Sequence, residues 1–247
     1  MMRKRIKVTV VLLTFALGAA LCIPMNKVQA TEVTEAPATT EAPAATKQTK
    51  KPYMKTLKKA KFDLKENKAV SFKTYWRGVG RKAGATAKIT NLKYSDAKKE
   101  GYKKISFTVT FKDSYRPSKS EVEKIVKASG NVLGNQYIWV GDYNTGLNAD
   151  TVEGVNVKFG SWKHSGYWIR YSTNNDYYVY AYDQHRNKVT ITYPEDYKGL
   201  CIGVGGALAS KQTKADKKFD KGEVPFGKSP YLYSKKATNF HFMRLNK

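Results

Sequence analysis

Cysteine is almost missing from this chain of 247 residues, which holds only Cys22 and Cys201. A small fold stapled by several disulfides is therefore excluded. Histidine is equally scarce, with His164, His185 and His241 separated by 21 and 56 residues, so no local zinc motif exists. Acids are few, 20 Asp and Glu against 45 Lys and Arg, and the formal charge is +25. Long apolar runs are confined to the first thirty residues, which excludes a multi-span membrane protein. A wholly disordered chain is excluded too, because 41% of the residues are hydrophobic and 13% aromatic.

What is present first is an address. Arg3, Lys4, Arg5 and Lys7 precede a 14-residue apolar run, Val10 to Ile23, then Pro24 and the small-residue pattern Val28-Gln29-Ala30. That order predicts a secretory signal peptide over 1–30, cleaved between Ala30 and Thr31. A lipid anchor at Cys22 is not expected, since Leu21 and Ala19 stand where a lipobox wants a small residue and a leucine. Removal leaves Cys201 alone and a net charge of +20. An exported chain without disulfides points to a bacterial source. Residues 31–52 (TEVTEAPATTEAPAATKQTKKP) contain one bulky apolar residue, Val33, and cannot bury enough surface to order themselves. They read as an extended linker and are similar in composition to the tethers of secreted Gram-positive proteins. No further apolar stretch marks the C-terminal end, FHFMRLNK, so no sorting tail or anchor is expected there.

The remaining body, 53–247, alternates apolar and polar residues. Ile105, Phe107, Val109 and Phe111 interleave with Lys104, Ser106, Thr108, Thr110 and Lys112, the signature of a half-buried antiparallel strand. Shorter alternations occupy 61–64, 70–75, 87–92, 137–141, 155–159, 167–171, 177–182, 189–193 and 200–204. The expected fold is all-β: an antiparallel β-sandwich or partly open barrel with one accessory helix near 118–130. Ser118 and Glu121 stand at capping-box spacing, Gly130 supplies a stop, and Val122, Ile125 and Val126 form an apolar stripe. A domain sub-boundary near 116–136 is an alternative to one domain.

Catalytic patterns are thin. Cys201 lies in a strand-like GLCIGVGG, where a free cysteine is ordinarily a small buried hydrophobe. A cell-wall thiol enzyme would need one of the three histidines as its base, and Gly-x-Ser-x-Gly is absent. Asp142, Asn144, Asp150 and Glu153 match four loop positions of a calcium-binding EF-hand, but Leu147 replaces the required glycine. A hairpin turn at Asn144-Thr145-Gly146 explains the same letters. Asp142, Glu153, Asp183, Glu195 and Asp196 offer carboxylate pairs for glycoside hydrolysis without a distinguishing pattern. No catalytic residue, metal or cofactor is assigned.

Two surface signals remain. Lysines occur in nearly every segment, an excess that attracts anionic polymers; for an exported chain these are wall polymers or glycans rather than a specific nucleic acid. Eight aromatics also fall within the 21 residues from Trp162 to Tyr182. Tyr178, Tyr180 and Tyr182 share one strand face and, with Trp168 and Tyr171, could form a sugar-stacking platform; buried, they are core. Trp168 and Tyr171 have opposite parity and share a face only across a bulge. The expectation is a secreted, non-catalytic binding module for anionic or glycan cell-surface polymers. The alternatives are a small cell-wall hydrolase or transpeptidase using Cys201 or a carboxylate pair, and a structural, adhesin-like surface protein.

Overall fold

Period-two alternation becomes strand wherever the sequence carries it most cleanly. A computed structural model of the chain describes residues 51–246 except 130–133, 173–177 and 210; at 129, 166–172 and 178–182 it describes the backbone alone. The signal peptide, its cleavage point and nearly all of the linker lie outside the described residues. The chain is mostly β, in two antiparallel sheets, with few helices. The strands are β1 (Ala69–Trp76), β2 (Arg81–Asp96), β3 (Tyr102–Asp113), β4 (Gln136–Asp142), β5 (Asn156–Phe159), β6 (Lys163–Ser172), β7 (Tyr178–Pro194), β8 (Leu200–Gly206) and β9 (Phe240–Arg244).

The larger sheet has six strands in the order β1-β2-β3-β7-β5, with β6 pairing β7 beyond β5 along the same edge. The smaller has the order β4-β8-β9. On one face of the larger sheet Phe72, Ile89, Ile105, Phe107, Val109, Phe111, Val189 and Ile191 are buried. They belong to one apolar cluster with Val140, Leu200, Ile202 and Val204 of the smaller sheet. Each such side chain stabilises the fold by roughly 1.5–3 kcal/mol relative to exposure.

All seven residues of β8 are buried, because β8 is the middle strand and both its faces are covered. Leu200, Ile202 and Val204 take one cluster. Cys201 takes a second, with Trp139, Phe226, Phe240 and Phe242. Gly203 is required here: a Cβ at that position would lie 2.7 Å from the Phe242 ring.

Among the described residues three α-helices accompany the sheets: α1 (Tyr53–Thr56), α2 (Lys119–Ser129) and α3 (Lys214–Asp220). α2 matches the expected helix. The Ser118 N–H and hydroxyl both donate to Glu121 Oε2, at 2.8 and 2.9 Å, and Val122 and Ile125 pack with Trp76. A hydrogen bond from the Tyr115 hydroxyl, then one from the Ser118 N–H, holds the Glu121 carboxyl down at about 2. α3 was not expected. Its capping box joins Thr213 to Asp216, and Phe219 is its buried apolar residue.

Two strand expectations are corrected. Residues 61–64 form no strand, only a single bridge from Lys61 to His241. The segments 177–182 and 189–193 belong to one strand, β7, continuous from Tyr178 to Pro194.

Candidate functional site

Because alternation sends one side-chain set inward, it sends the other outward. The register fixes which residues share the solvent face of the larger sheet. One row runs Lys88, Thr110, Arg186 and Lys163 across β2, β3, β7 and β6. The next holds Ser71, Thr86, Lys112, Gln184 and Ser165. On the other side, Thr90, Thr108 and Lys188 form a row, followed by Lys93, Ser106, Thr190 and Lys158, then Ser95, Lys104, Thr192 and Asn156. Lys73 and Lys82 complete the set at β1 and β2. The face thus carries nine lysines and one arginine, interleaved with Thr and Ser, and no Asp or Glu among the described side chains.

Neighbouring strands lie ~4.8 Å apart and alternate residues along a strand ~6.8 Å apart. Cations on such a grid lie within a Debye length (~8–10 Å) of one another, so their fields overlap above the sheet. The threonine and serine hydroxyls between them donate and accept hydrogen bonds at the same level.

The nearby acids belong elsewhere. Asp96 Oδ1 and Glu195 Oε1 both accept from Lys103 Nζ, at 2.7 and 3.0 Å, and Lys103 has the opposite strand parity to Lys104. The hydrogen bond to Asp96, then that to Glu195, raises the Lys103 pKa. These pairs leave the outward rows untouched.

Most residues singled out from sequence are not brought together. Asp142 is buried; its Oδ1 accepts from the Asn144 N–H (2.7 Å) and its Oδ2 from the Thr145 hydroxyl (2.9 Å). The Gly146 N–H donates to the Asp142 carbonyl, closing a turn, while Asp150 and Glu153 are exposed. Both oxygens of the leading carboxylate are thus occupied within its own turn. Among the described residues no three His, Cys, Asp or Glu side chains converge as a metal group. Asp183 is half-buried on β7, and Glu195 and Asp196 are exposed just beyond that strand.

Cys201 is 0% exposed. Burial pushes its thiol up to about 12. A thiolate nucleophile needs the reverse.

The side chains of Trp168, Tyr171, Tyr178, Tyr180 and Tyr182 lie outside the described residues. Their backbone pairs Tyr171 with Val179 and Arg170 with Tyr180, and a register shift falls at Trp168, between Tyr167 and Ile169. β7 itself is unbroken, so positions 178, 180 and 182 keep the alternation of Gln184, Arg186 and Lys188.

Sequence reasoning missed a buried polar line at one end of the inner face. Asp113 and His185 are buried among the otherwise apolar inward residues. His185 Nδ1 lies 2.8 Å from His164 Nδ1, and His185 Nε2 is 3.6 Å from Asp113 Oδ2. Asp113 Oδ1 accepts from Gln136 Nε2 at 2.8 Å. The antiparallel pairing of β6 with β7 sets position 164 opposite 185. No described helix is long and apolar enough to cross a membrane. Compared with protein-family models, curated proteins and solved structures, the chain matches none.

Proposed function

We propose that this chain is an exported, non-catalytic module that binds anionic cell-surface polymers through the solvent face of its larger sheet. The observation that carries this reading is the grid of ten cations on that face, with no acid among its described side chains. A polymer bearing regularly spaced phosphate or carboxylate groups engages several of them at once and releases its counterions. Lysine predominates over arginine, which suits diffuse attraction along a polymer more than bidentate capture of one group.

The same reading takes the two sheets as the layers of a sandwich, on the strength of the apolar cluster they share. It takes residues 1–30 as a signal peptide and 31–52 as an extended N-terminal segment ahead of the module. An intact mass beginning at Thr31 in secreted protein tests the export step.

The test of binding is a comparison of two variants with equal charge loss. One replaces Lys88, Lys112, Arg186 and Lys188 with Ser; the other replaces the exposed Lys58, Lys218, Lys235 and Lys236. Retention on immobilised teichoic acid should fall steeply with salt between ~0.05 and ~0.2 M. The sheet-face variant should lose retention well beyond the control. Equal losses would refute a dedicated face, and retention indifferent to salt would refute the electrostatic mechanism.

A glycan contribution is the second reading, favoured by the unbroken alternation that carries Tyr178, Tyr180 and Tyr182 in register with Arg186. A cell-wall hydrolase or transpeptidase that uses Cys201 as its nucleophile is disfavoured by the enclosed, high-pKa thiol.

A further inference from the structure

We propose that the free edge of β4 is a docking cleft for an extended peptide in which an apolar residue is flanked by lysine or arginine. The cleft is separate from the lysine-bearing solvent face and does not depend on what that face binds. β4 is an outer strand of its sheet, with β8 on one side only. Its odd-numbered backbone groups serve β8: the Ala207 N–H donates to the Asn135 carbonyl at one end and the Tyr143 N–H to the Gly199 carbonyl at the other. Alternation turns the even-numbered groups the other way. At the far end that second side is closed, since the Asp142 N–H donates to the Leu147 carbonyl and Gly141 bridges Asn148. Nearer the start of the strand it is open. The Gln136 carbonyl, both backbone groups of Ile138 and the Val140 N–H have no hydrogen-bond partner among the described residues. Such a row of donors and acceptors is a template for another strand.

A cleft runs along this edge, lined by four consecutive residues of β4, Tyr137 to Val140, and its volume is about 190 Å³. Pockets that enclose a small molecule occupy about 300–1,000 Å³, so the space suits a chain lying across it better than a ligand held inside it. One wall is β5. Val157 and Phe159 pair with the buried Ile191 and Val189 and share their inward face, yet Phe159 is 52% exposed. An inward-facing ring left uncovered beside an unpaired edge is what an added strand would bury.

The lining also sets the chemistry of the occupant. Asp150 and Asp220 are the only charged residues among those that line the cleft, in a chain whose formal charge is +25. Asp150, on the 3₁₀ turn Ala149–Thr151, is exposed at the closed end of the edge. Asp220 closes α3; its Oδ2 accepts from Gln212 Nε2 at 2.9 Å, which leaves Oδ1 for a ligand. A peptide residue paired with Ile138 exchanges both backbone hydrogen bonds with it and places its side chain on the Ile138 face. Its two neighbours point to the face of Tyr137 and Trp139, which packs with Phe219, the residue before Asp220. The central residue is therefore apolar, and long cationic side chains beside it meet the carboxylates. A second copy of the chain brings the same large positive charge and suits the cleft less well.

The test is fluorescence anisotropy of the full chain with two labelled, end-blocked peptides, Thr-Lys-Val-Lys-Thr and Thr-Glu-Val-Glu-Thr. The lysine peptide should bind saturably, one per chain. Replacing both carboxylates, Asp150→Asn with Asp220→Asn, should weaken it by roughly 3–10-fold and leave the glutamate peptide no weaker. Phe159→Ala, at an exposed position where the fold should persist, should weaken it by a similar factor. N-methylation of the valine removes a hydrogen bond to Ile138 and should cost about ten-fold, whereas N-methylation of the second lysine, whose N–H points away from β4, should be tolerated. No saturable binding of the lysine peptide, indifference to the carboxylate changes, or equal effects of the two N-methylations would overturn the assignment. A neutral oligosaccharide that displaces the peptide would make the cleft a sugar site, and a dimer that the peptide dissociates would make a second copy the occupant; either result also overturns it.

Discussion

Arg186 on β7 stands directly opposite Lys163 on β6, two cations paired across neighbouring strands. Like charges in directly opposed positions destabilise a sheet by a few tenths to about 1 kcal/mol. Among the described side chains no carboxylate on that face offsets the repulsion. Replacing Lys163 with Glu should therefore stabilise the domain by roughly 0.2–1 kcal/mol at low salt, measured by urea unfolding, while reducing polyanion retention. Stability and binding moving in opposite directions is the expected outcome. A joint loss would mean that Lys163 serves the fold.

Asp216 carries a structural prediction. Its carboxylate is buried; Oδ1 accepts from the Ser229 hydroxyl (2.7 Å) and the Tyr231 N–H (2.9 Å), and Oδ2 from Thr213. Burial alone would raise its pKa, but the hydrogen bonds from Thr213, Ser229 and Tyr231 outweigh it, and the net shift is downward. A lowered carboxylate pKa contributes stability that is complete above the unfolded value near 4 and lost as pH falls through the folded value. Asp216→Asn should cost about 2 kcal/mol at pH 7, since donors built for a charged acceptor meet a neutral one. The penalty should shrink below pH 4, as denaturant titrations at both pH values would show.

Cys201 should behave as core. Alkylation of native protein by iodoacetamide should be slow, and fast only in denaturant, because the thiol is enclosed and held in its neutral form. Cys201→Ser places a hydroxyl among Trp139, Phe240 and Phe242 and should destabilise the domain by about 1–3 kcal/mol. Rapid native labelling would revive a thiol mechanism.

These residues also show where the sequence was legible. β3 was plain because every inward position from Ile105 to Phe111 is apolar. β7 was read as two strands because its middle, DQHRNK, buries His185 and Asn187 where alternation demands apolar residues. The feature that hid the strand is thus the same one that builds the polar line. α3 escaped because KADKKFD offers a single apolar anchor, Phe219, and takes its order from Asp216, a polar residue whose burial no periodicity signals. β9 was passed over as a tail, although Phe240 and Phe242 alternate, because its partner β8 is buried on both faces and gives no clue to which neighbour it takes. The cationic face lay in the sequence as scattered lysines; only the register of β2, β3, β7 and β6 gathers them.

The tyrosine positions on β7 provide the final prediction. Tyr178, Tyr180 and Tyr182 extend the alternation of Gln184, Arg186 and Lys188 toward the N-terminal end of β7, beyond the part that pairs with β3. Glycan stacking there requires rings that contribute binding without holding the fold together. Tyr→Ala substitutions at the three positions, singly and combined, should leave the urea midpoint nearly unchanged and lower retention on a neutral wall glycan. The loss should persist at high salt, because ring stacking does not depend on counterion release as the lysine grid does. That salt response separates the tyrosine contribution from the charge contribution in one protein. Destabilisation by ~3 kcal/mol or more at all three positions would instead make the rings core, and the binding surface would then end at Gln184.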